Sequence, residues 1–130
     1  MRLSLRDSLV FVTLRVEHAG RSIDVPNVLL DTGSASTILA TDVAAPLGIM
    51  PEPTDVLRRI RGVGGVEYVF SRQVDRLSIG EHGISTLEIE FGGLDYGFEL
   101  DGILGMDFLL RAGAAIDLKE LAIEFRNQPE

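Results

Sequence analysis

Apolar and polar residues alternate along most of this chain, in short runs. Val10, Val12, Leu14 and Val16 are set against Thr13, Arg15 and Glu17, the period of two of a half-buried strand. HAGR, residues 18–21, reads as a hairpin turn. The extended pattern resumes over 22–30, where Pro26 cannot donate to a ladder and so marks an edge or a bulge. A short strand is expected at 37–39, then a short helix opened by a capping residue at Thr41-Asp42 and stopped by Gly48. PEPTD, 51–55, is a loop. Residues 56–80 are extended again but broken at RGVGGVE, where Gly62, Gly64 and Gly65 predict the tip of a long hairpin. After a turn at 81–83, Leu87, Ile89 and Phe91 alternate with Glu88 and Glu90, which predicts one face on the core and one in water. An irregular loop covers 92–102, a short amphipathic helix covers 106–112 with Gly113 as its stop, and a hairpin with Leu121, Ile123 and Phe125 on one face follows. The tally is about eight or nine short strands and two short helices, the pattern of an all-β barrel or sandwich.

Composition narrows the picture without redirecting it. The 130 residues suit one domain, expected to span 1–130, and their 45% hydrophobic and 6% aromatic content predicts a core of Val, Ile and Leu. Cysteine is absent, so disulfides, a thiolate nucleophile and a cysteine metal site are excluded. That absence fits a reducing compartment and, with no signal-peptide pattern, makes the cytoplasm the expected location. Twelve Lys and Arg are scattered among twenty acids for a net charge of -8, which argues against nucleic acid and suits a peptide or an uncharged or basic ligand. No apolar run approaches the ~20 residues of a membrane helix, so no membrane insertion is expected. His18 and His82 sit in Glu-His turns and read as surface residues that make no metal site. Asp95, Glu99 and Asp101 miss the calcium-loop spacing and read as solvated acids.

Three stretches carry candidate chemistry. In LLDTGSASTIL, residues 29–39, an ionisable Asp31 stands between apolar segments, where an unpaired carboxylate would be costly. Gly33 would let a backbone N–H approach that carboxylate, Ser34 could donate to its outer oxygen, and Thr32 could reach sideways to a neighbouring chain. The competing reading is an Asx-turn in which Asp31 satisfies its own backbone. RGVGG lacks the spacing and the helix of a dinucleotide fingerprint and reads as a mobile flap or a plain hairpin turn. Ile103-Leu104-Gly105 before the 106–112 helix reads as a strand end packed on another backbone, alone more often core than function. TGSAS is not a serine nucleophile elbow.

Taken in order, apolar-DTGS, a GVGG hairpin, and ILG before a short helix, the chain resembles the retropepsin-type aspartic proteases, the single-domain relatives of pepsin, from about residue 9 to 125. The resemblance implies an all-β, closed barrel of the acid protease type with one short C-terminal helix, and a homodimer in which each chain is half of the active enzyme. It makes Asp31, Thr32 and Gly33 catalytic, Asp31 as the acid and Thr32 through a hydroxyl that crosses to the partner. Ser34, Val63, Gly64 and Gly65 would bind substrate, the last three at the flap tip. Ile103, Leu104, Gly105 and Asp107 would support the site. Peptide or protein is the implied substrate, with no metal and no cofactor. Where many viral members carry an acid and an Arg in an interface ion pair, this chain has Ala35 and Met106, a matched loss. A non-catalytic dimerisation or peptide-binding module with the same fold is the alternative.

Overall fold

The computed structural model describes residues 1–62, 65–94 and 98–126. Its strands, in chain order, are β1 (Ser4–Arg6), β2 (Leu9–His18), β3 (Arg21–Leu30), β4 (Ile38–Ala40), β5 (Arg58–Gly62), β6 (Gly65–Ile79), β7 (His82–Gly92), β8 (Gly102–Leu104), β9 (Ala114–Asp117) and β10 (Ala122–Phe125). Helix α1 (Thr41–Ala44) runs into a 3-10 turn at Ala45–Leu47, and α2 (Met106–Ala112) precedes β9. The main sheet runs β1-β2-β3-β8-β4-β7-β6-β5, and a further pairing of β2 with β6 joins its two halves. That ladder, Arg15↔Ser78 to Glu17↔Arg76, closes β2, β3, β8, β4, β7 and β6 into a ring. The expected all-β barrel is therefore the observed architecture.

Local chemistry explains the corners. Ala19 and Gly20 both lie at positive φ, 52° and 80°, the geometry of the tight turn that matches strand twist, so β2 folds directly onto β3. Pro26 falls at a bulge: Val12 pairs with Val28 and Leu14 with Val25, leaving Pro26 and Asn27 opposite Thr13. Gly113, at φ 63°, ends α2 and accepts an N–H from Arg126. The first residues read only as a polar start in the sequence, yet they join the fold. β1 pairs with β2, and the Leu3 N–H reaches the Leu121 carbonyl at 2.8 Å, beside β10.

Several local expectations need correction. β4 occupies Ile38–Ala40, one residue later than expected. Thr41 is the first helical residue and not a cap, since Ala40 holds the N-cap position with no side-chain hydrogen bond. His18 and His82 are half-buried, and His82 stacks on Phe125 at 4.3 Å between ring centres. Glu90 does not face water: it is 5% exposed, while Glu88 is solvated as expected.

Inward residues from β2, β3, β4, β6, β7 and α2 form one core around Leu14, Val16, Val28, Leu39, Phe91 and Phe108. Each such side chain contributes roughly 1.5–3 kcal/mol on burial. A smaller cluster of Phe11, Leu29, Leu100 and Ile103 packs on the other face of β2 and β3. It lies under the strand end that leads into Asp31. Among the described residues, no helix is long and apolar enough to cross a membrane.

Candidate active site

Asp31 follows β3 directly, and the barrel fixes where it stands. The β8 strand lies parallel to β3, Leu29 opposite Ile103 and Leu30 opposite Leu104, and the Asp31 N–H continues that ladder to the Leu104 carbonyl at 3.0 Å. β8 also pairs antiparallel with β4, Ile38 opposite Ile103. The turn 31–37 is thus strung between two strands that share β8 as their neighbour. Ile103 and Leu104 supply that brace, buried at 1% and 0% exposure.

Within the turn, the Gly33 N–H donates to Asp31 Oδ1 at 2.8 Å and the Ser34 N–H to the Asp31 carbonyl at 3.1 Å. The first bond orients the carboxylate and the second closes the turn. The flanking segments are buried, but Asp31 itself is half-buried and Thr32 and Gly33 are exposed, so the turn presents its acid outward. The Ser34 hydroxyl, expected to donate to the Asp31 carboxylate, does not. Its hydroxyl bonds the Ser36 carbonyl at 2.7 Å, which stiffens the far side of the turn.

Below the turn sits a residue that the sequence reading missed. Thr37, fully buried, donates its hydroxyl to Asp107 Oδ1 at 2.7 Å and its N–H to Asp107 Oδ2 at 3.0 Å, and its hydroxyl accepts the Gly105 N–H at 3.1 Å. Asp107 also accepts the Phe108 N–H at 2.8 Å. The start of α2 closes the network, with the Met106 N–H on the Ser34 carbonyl and the Asp107 N–H on the Ala35 carbonyl. Gly105 is required for space: a Cβ there would stand 2.3 Å from the Ser36 carbonyl oxygen. A polar residue inside an apolar run, STIL after DTGSA, was the available signal for Thr37. Thr37→Val keeps the shape but leaves the Gly105 N–H without its partner and Asp107 Oδ1 with the Phe108 N–H in place of two donors. It is expected to cost about 1–3 kcal/mol, measured by denaturant unfolding, because buried polar groups left unpaired bear their full desolvation cost.

Asp31 and Thr32 open onto an apolar recess of about 610 Å³ whose walls include Leu9, Val10, Leu30, Phe98, Ile116 and Leu118. An extended chain with apolar side chains fits such a surface. A second, polar recess of about 240 Å³ lies between Ser36, Arg58, Ser71, Glu88 and Glu90. Arg58, at the start of β5, grips the buried Glu90 with two nitrogens, Nε at 2.8 Å and Nη2 in closer contact. The Glu90 hydrogen bond raises the guanidinium above its ordinary pKa. Neither residue stood out in the sequence.

Of the other expected site residues, Gly65 opens β6 and pairs with Gly62, which bears out the hairpin, while Val63, Gly64 and Asp95 lie outside the described residues. Ala35 is exposed and Met106 packs against the core, so the position of the viral ion pair is apolar here. Asp101 accepts the Asn27 side-chain amide at 3.1 Å. Among the described residues, no group of three His, Asp or Glu is arranged to hold a metal ion.

Comparison with known proteins agrees with this geometry. No curated protein matches the chain. The crystal structure of a retropepsin-like aspartic protease from Rickettsia conorii is similar with a TM-score of 0.64 and 23% identity, covering 92% of each chain. A family profile described as aspartyl protease matches residues 12–108, which holds the Asp31 turn, the hairpin and the brace through Asp107. The chain belongs to the aspartyl protease family and has the retropepsin fold.

Proposed function

We propose that the chain is one half of a homodimeric aspartic endopeptidase whose active site contains two Asp31 carboxylates, one from each protomer. The observation that carries this reading is the Asp31 turn: a carboxylate oriented by Gly33, half-exposed beside an apolar recess, and present once per chain. A second Asp-Thr-Gly or Asp-Ser-Gly does not occur in the sequence, so the second acid comes from a second copy.

The edge of β9 supports such a partner. Arg126 donates to Gly113, so in the alternation of an antiparallel ladder residues 113, 115 and 117 face β10 while the N–H and C=O of Ala114 and Ile116 point away from it. Ile116 borders the same recess as Asp31 and Thr32, where a twofold-related strand would place the partner's turn opposite.

Two like carboxylates in contact hold one proton between them and titrate as a unit. The ionised Asp31 takes a proton from a water molecule, whose oxygen attacks the peptide carbonyl. The partner's protonated Asp31 gives its proton to the carbonyl oxygen as the tetrahedral intermediate forms. Collapse of that intermediate breaks the C–N bond, a proton passes to the leaving nitrogen, and the dyad returns to one shared proton. Thr32, exposed beside Asp31, takes the role of the hydroxyl that crosses to the partner, Gly33 orients the acid and Ser34 stiffens the turn beside the substrate. The family resemblance gives Val63, Gly64 and Gly65 the role of contacting the peptide, and Ile103, Leu104, Gly105 and Asp107 hold the turn in place. No metal or organic cofactor takes part in these steps.

Cleavage profiling on a diverse peptide library from acidic to neutral pH tests the reading. The expected result is internal cleavage of extended peptides with apolar residues at the scissile bond. Absence of any cleavage by a dimeric preparation would favour the peptide-binding module instead.

A further inference from the structure

Glu90 is a buried carboxylate that the proposed chemistry does not use. Its side chain is 7% exposed, and its partner Arg58, itself 56% exposed, comes from a different part of the sheet. A buried ion pair is a poor way to gain stability, since apolar residues of similar volume do as well, but a two-nitrogen grip fixes geometry. What it fixes here is the first arm of the 58–79 hairpin.

β5 is the last strand of the sheet, and its backbone ladder runs to β6. In register, Arg58 lies opposite Val69, and Ser71 lies opposite Glu90. The Arg58 side chain therefore crosses β6 diagonally to reach β7. At the far end, β7 is tied to the active loop: the Glu90 N–H donates to the Thr37 carbonyl at 3.0 Å, and Glu90 is in parallel register with Ile38. Thr37 in turn holds Asp107 and Gly105 under the Asp31 turn. The polar recess shared with Ser36 brings the clamp beside the loop that carries Asp31, five positions earlier.

We propose that Arg58 and Glu90 form a clamp that fixes the first arm of the hairpin against the Asp31 loop, so that Arg58 is a positioning residue for bound peptide. The clamp stands on the fold; its effect on substrate rests on the endopeptidase reading. Without it, the described holds on the first arm are the β5 ladder to β6 and the Arg72 grip on Asp55 three positions before Arg58, and the arm loosens from the Asp31 loop. Peptide binding then has to order the hairpin as well as the peptide, which raises KM and leaves kcat alone.

The test compares the full chain with Arg58→Met and with the double variant Arg58→Met, Glu90→Gln. Arg58→Met strands a buried carboxylate and is expected to lower the melting temperature, and the double variant to recover most of it. Stability and positioning are thereby separated. In the double variant, amide hydrogen exchange over residues 58–62 is expected to rise roughly tenfold while β2 and β3 stay protected, the local opening of a weakly held edge. With a substrate found by library profiling, KM is expected to rise about fivefold at unchanged kcat. Protection of 58–62 equal to the parent, or a KM that recovers together with stability, overturns the proposal. If no form of the chain cleaves any peptide, the endopeptidase reading fails by itself. Exchange over 58–62 then decides the clamp, and Arg58 loses its role toward substrate.

Discussion

Asp31→Asn is expected to lower peptide cleavage by at least about 10⁴-fold while the dimer and its melting temperature stay as in the parent. The amide is nearly the shape of the carboxylate, and its oxygen can still accept the Gly33 N–H that now reaches Oδ1 at 2.8 Å. The turn therefore keeps its form. What disappears is the exchangeable proton and the negative charge, and in a symmetric dimer one codon removes both copies. Neither the base that activates water nor the acid that polarises the carbonyl remains, so the loss falls on kcat as well as kcat/KM. Steady-state kinetics, together with sedimentation of the same sample, reads both halves of the expectation. A variant that stays dimeric and cleaves at a comparable rate removes Asp31 from the chemistry.

Gly105→Ala is expected to be the most damaging single change to the scaffold of the site. Its backbone, φ -102°, is open to any residue, so the requirement for glycine is purely spatial. An added Cβ would stand 2.3 Å from the Ser36 oxygen, 2.5 Å from the Ser36 carbonyl carbon and 2.9 Å from the Ser34 oxygen. All three are backbone atoms and cannot rotate away. Relief requires parting β8 from the turn, which breaks the Gly105 bond to Thr37 and the Met106 bond to Ser34. The cost is about 3 kcal/mol, a fall of roughly 10 °C in melting temperature for a chain of this size, with cleavage lost because the Asp31 turn moves. Gly33→Ala is the informative contrast. There the nearest atom is Asp31 Oδ1 at 3.1 Å, the end of a side chain, so stability should change little while activity falls. Thermal unfolding and kinetics of the two variants together distinguish a spatial brace from a catalytic neighbour.

Sequence alone reached the parts of this molecule that are local. Alternation located β2, β7 and the final hairpin, and small residues at Gly20, Gly48 and Gly113 marked where the chain turns, because left-handed φ is a property of one residue and its neighbours. The bulge at Pro26 was legible for the same reason. The Asp31 turn was legible because an acid flanked by apolar runs is unusual, and the order of DTGS, hairpin and ILG carried the resemblance that the family match bears out. What could not be read depends on a third element. Glu88 and Glu90 look alike in an alternating strand, and only the arrival of Arg58 across β6 buries one of them. Thr37 looked like one more residue of β4, yet its buried hydroxyl joins α2 to the Asp31 loop across 70 positions. Ser34 was expected to serve Asp31, and the tight turn aims it at Ser36 instead. Side-chain direction is set by the closing of the ring, which no short window contains.

If the active site is shared between two chains, mixing wild-type chain with Asp31→Asn chain under subunit exchange creates inactive hybrids. At fixed total concentration, cleavage should fall as the square of the wild-type fraction, because a hybrid dimer carries one carboxylate and is inactive. A rate that falls only in proportion to the wild-type fraction would show that each chain works alone and that no shared site exists.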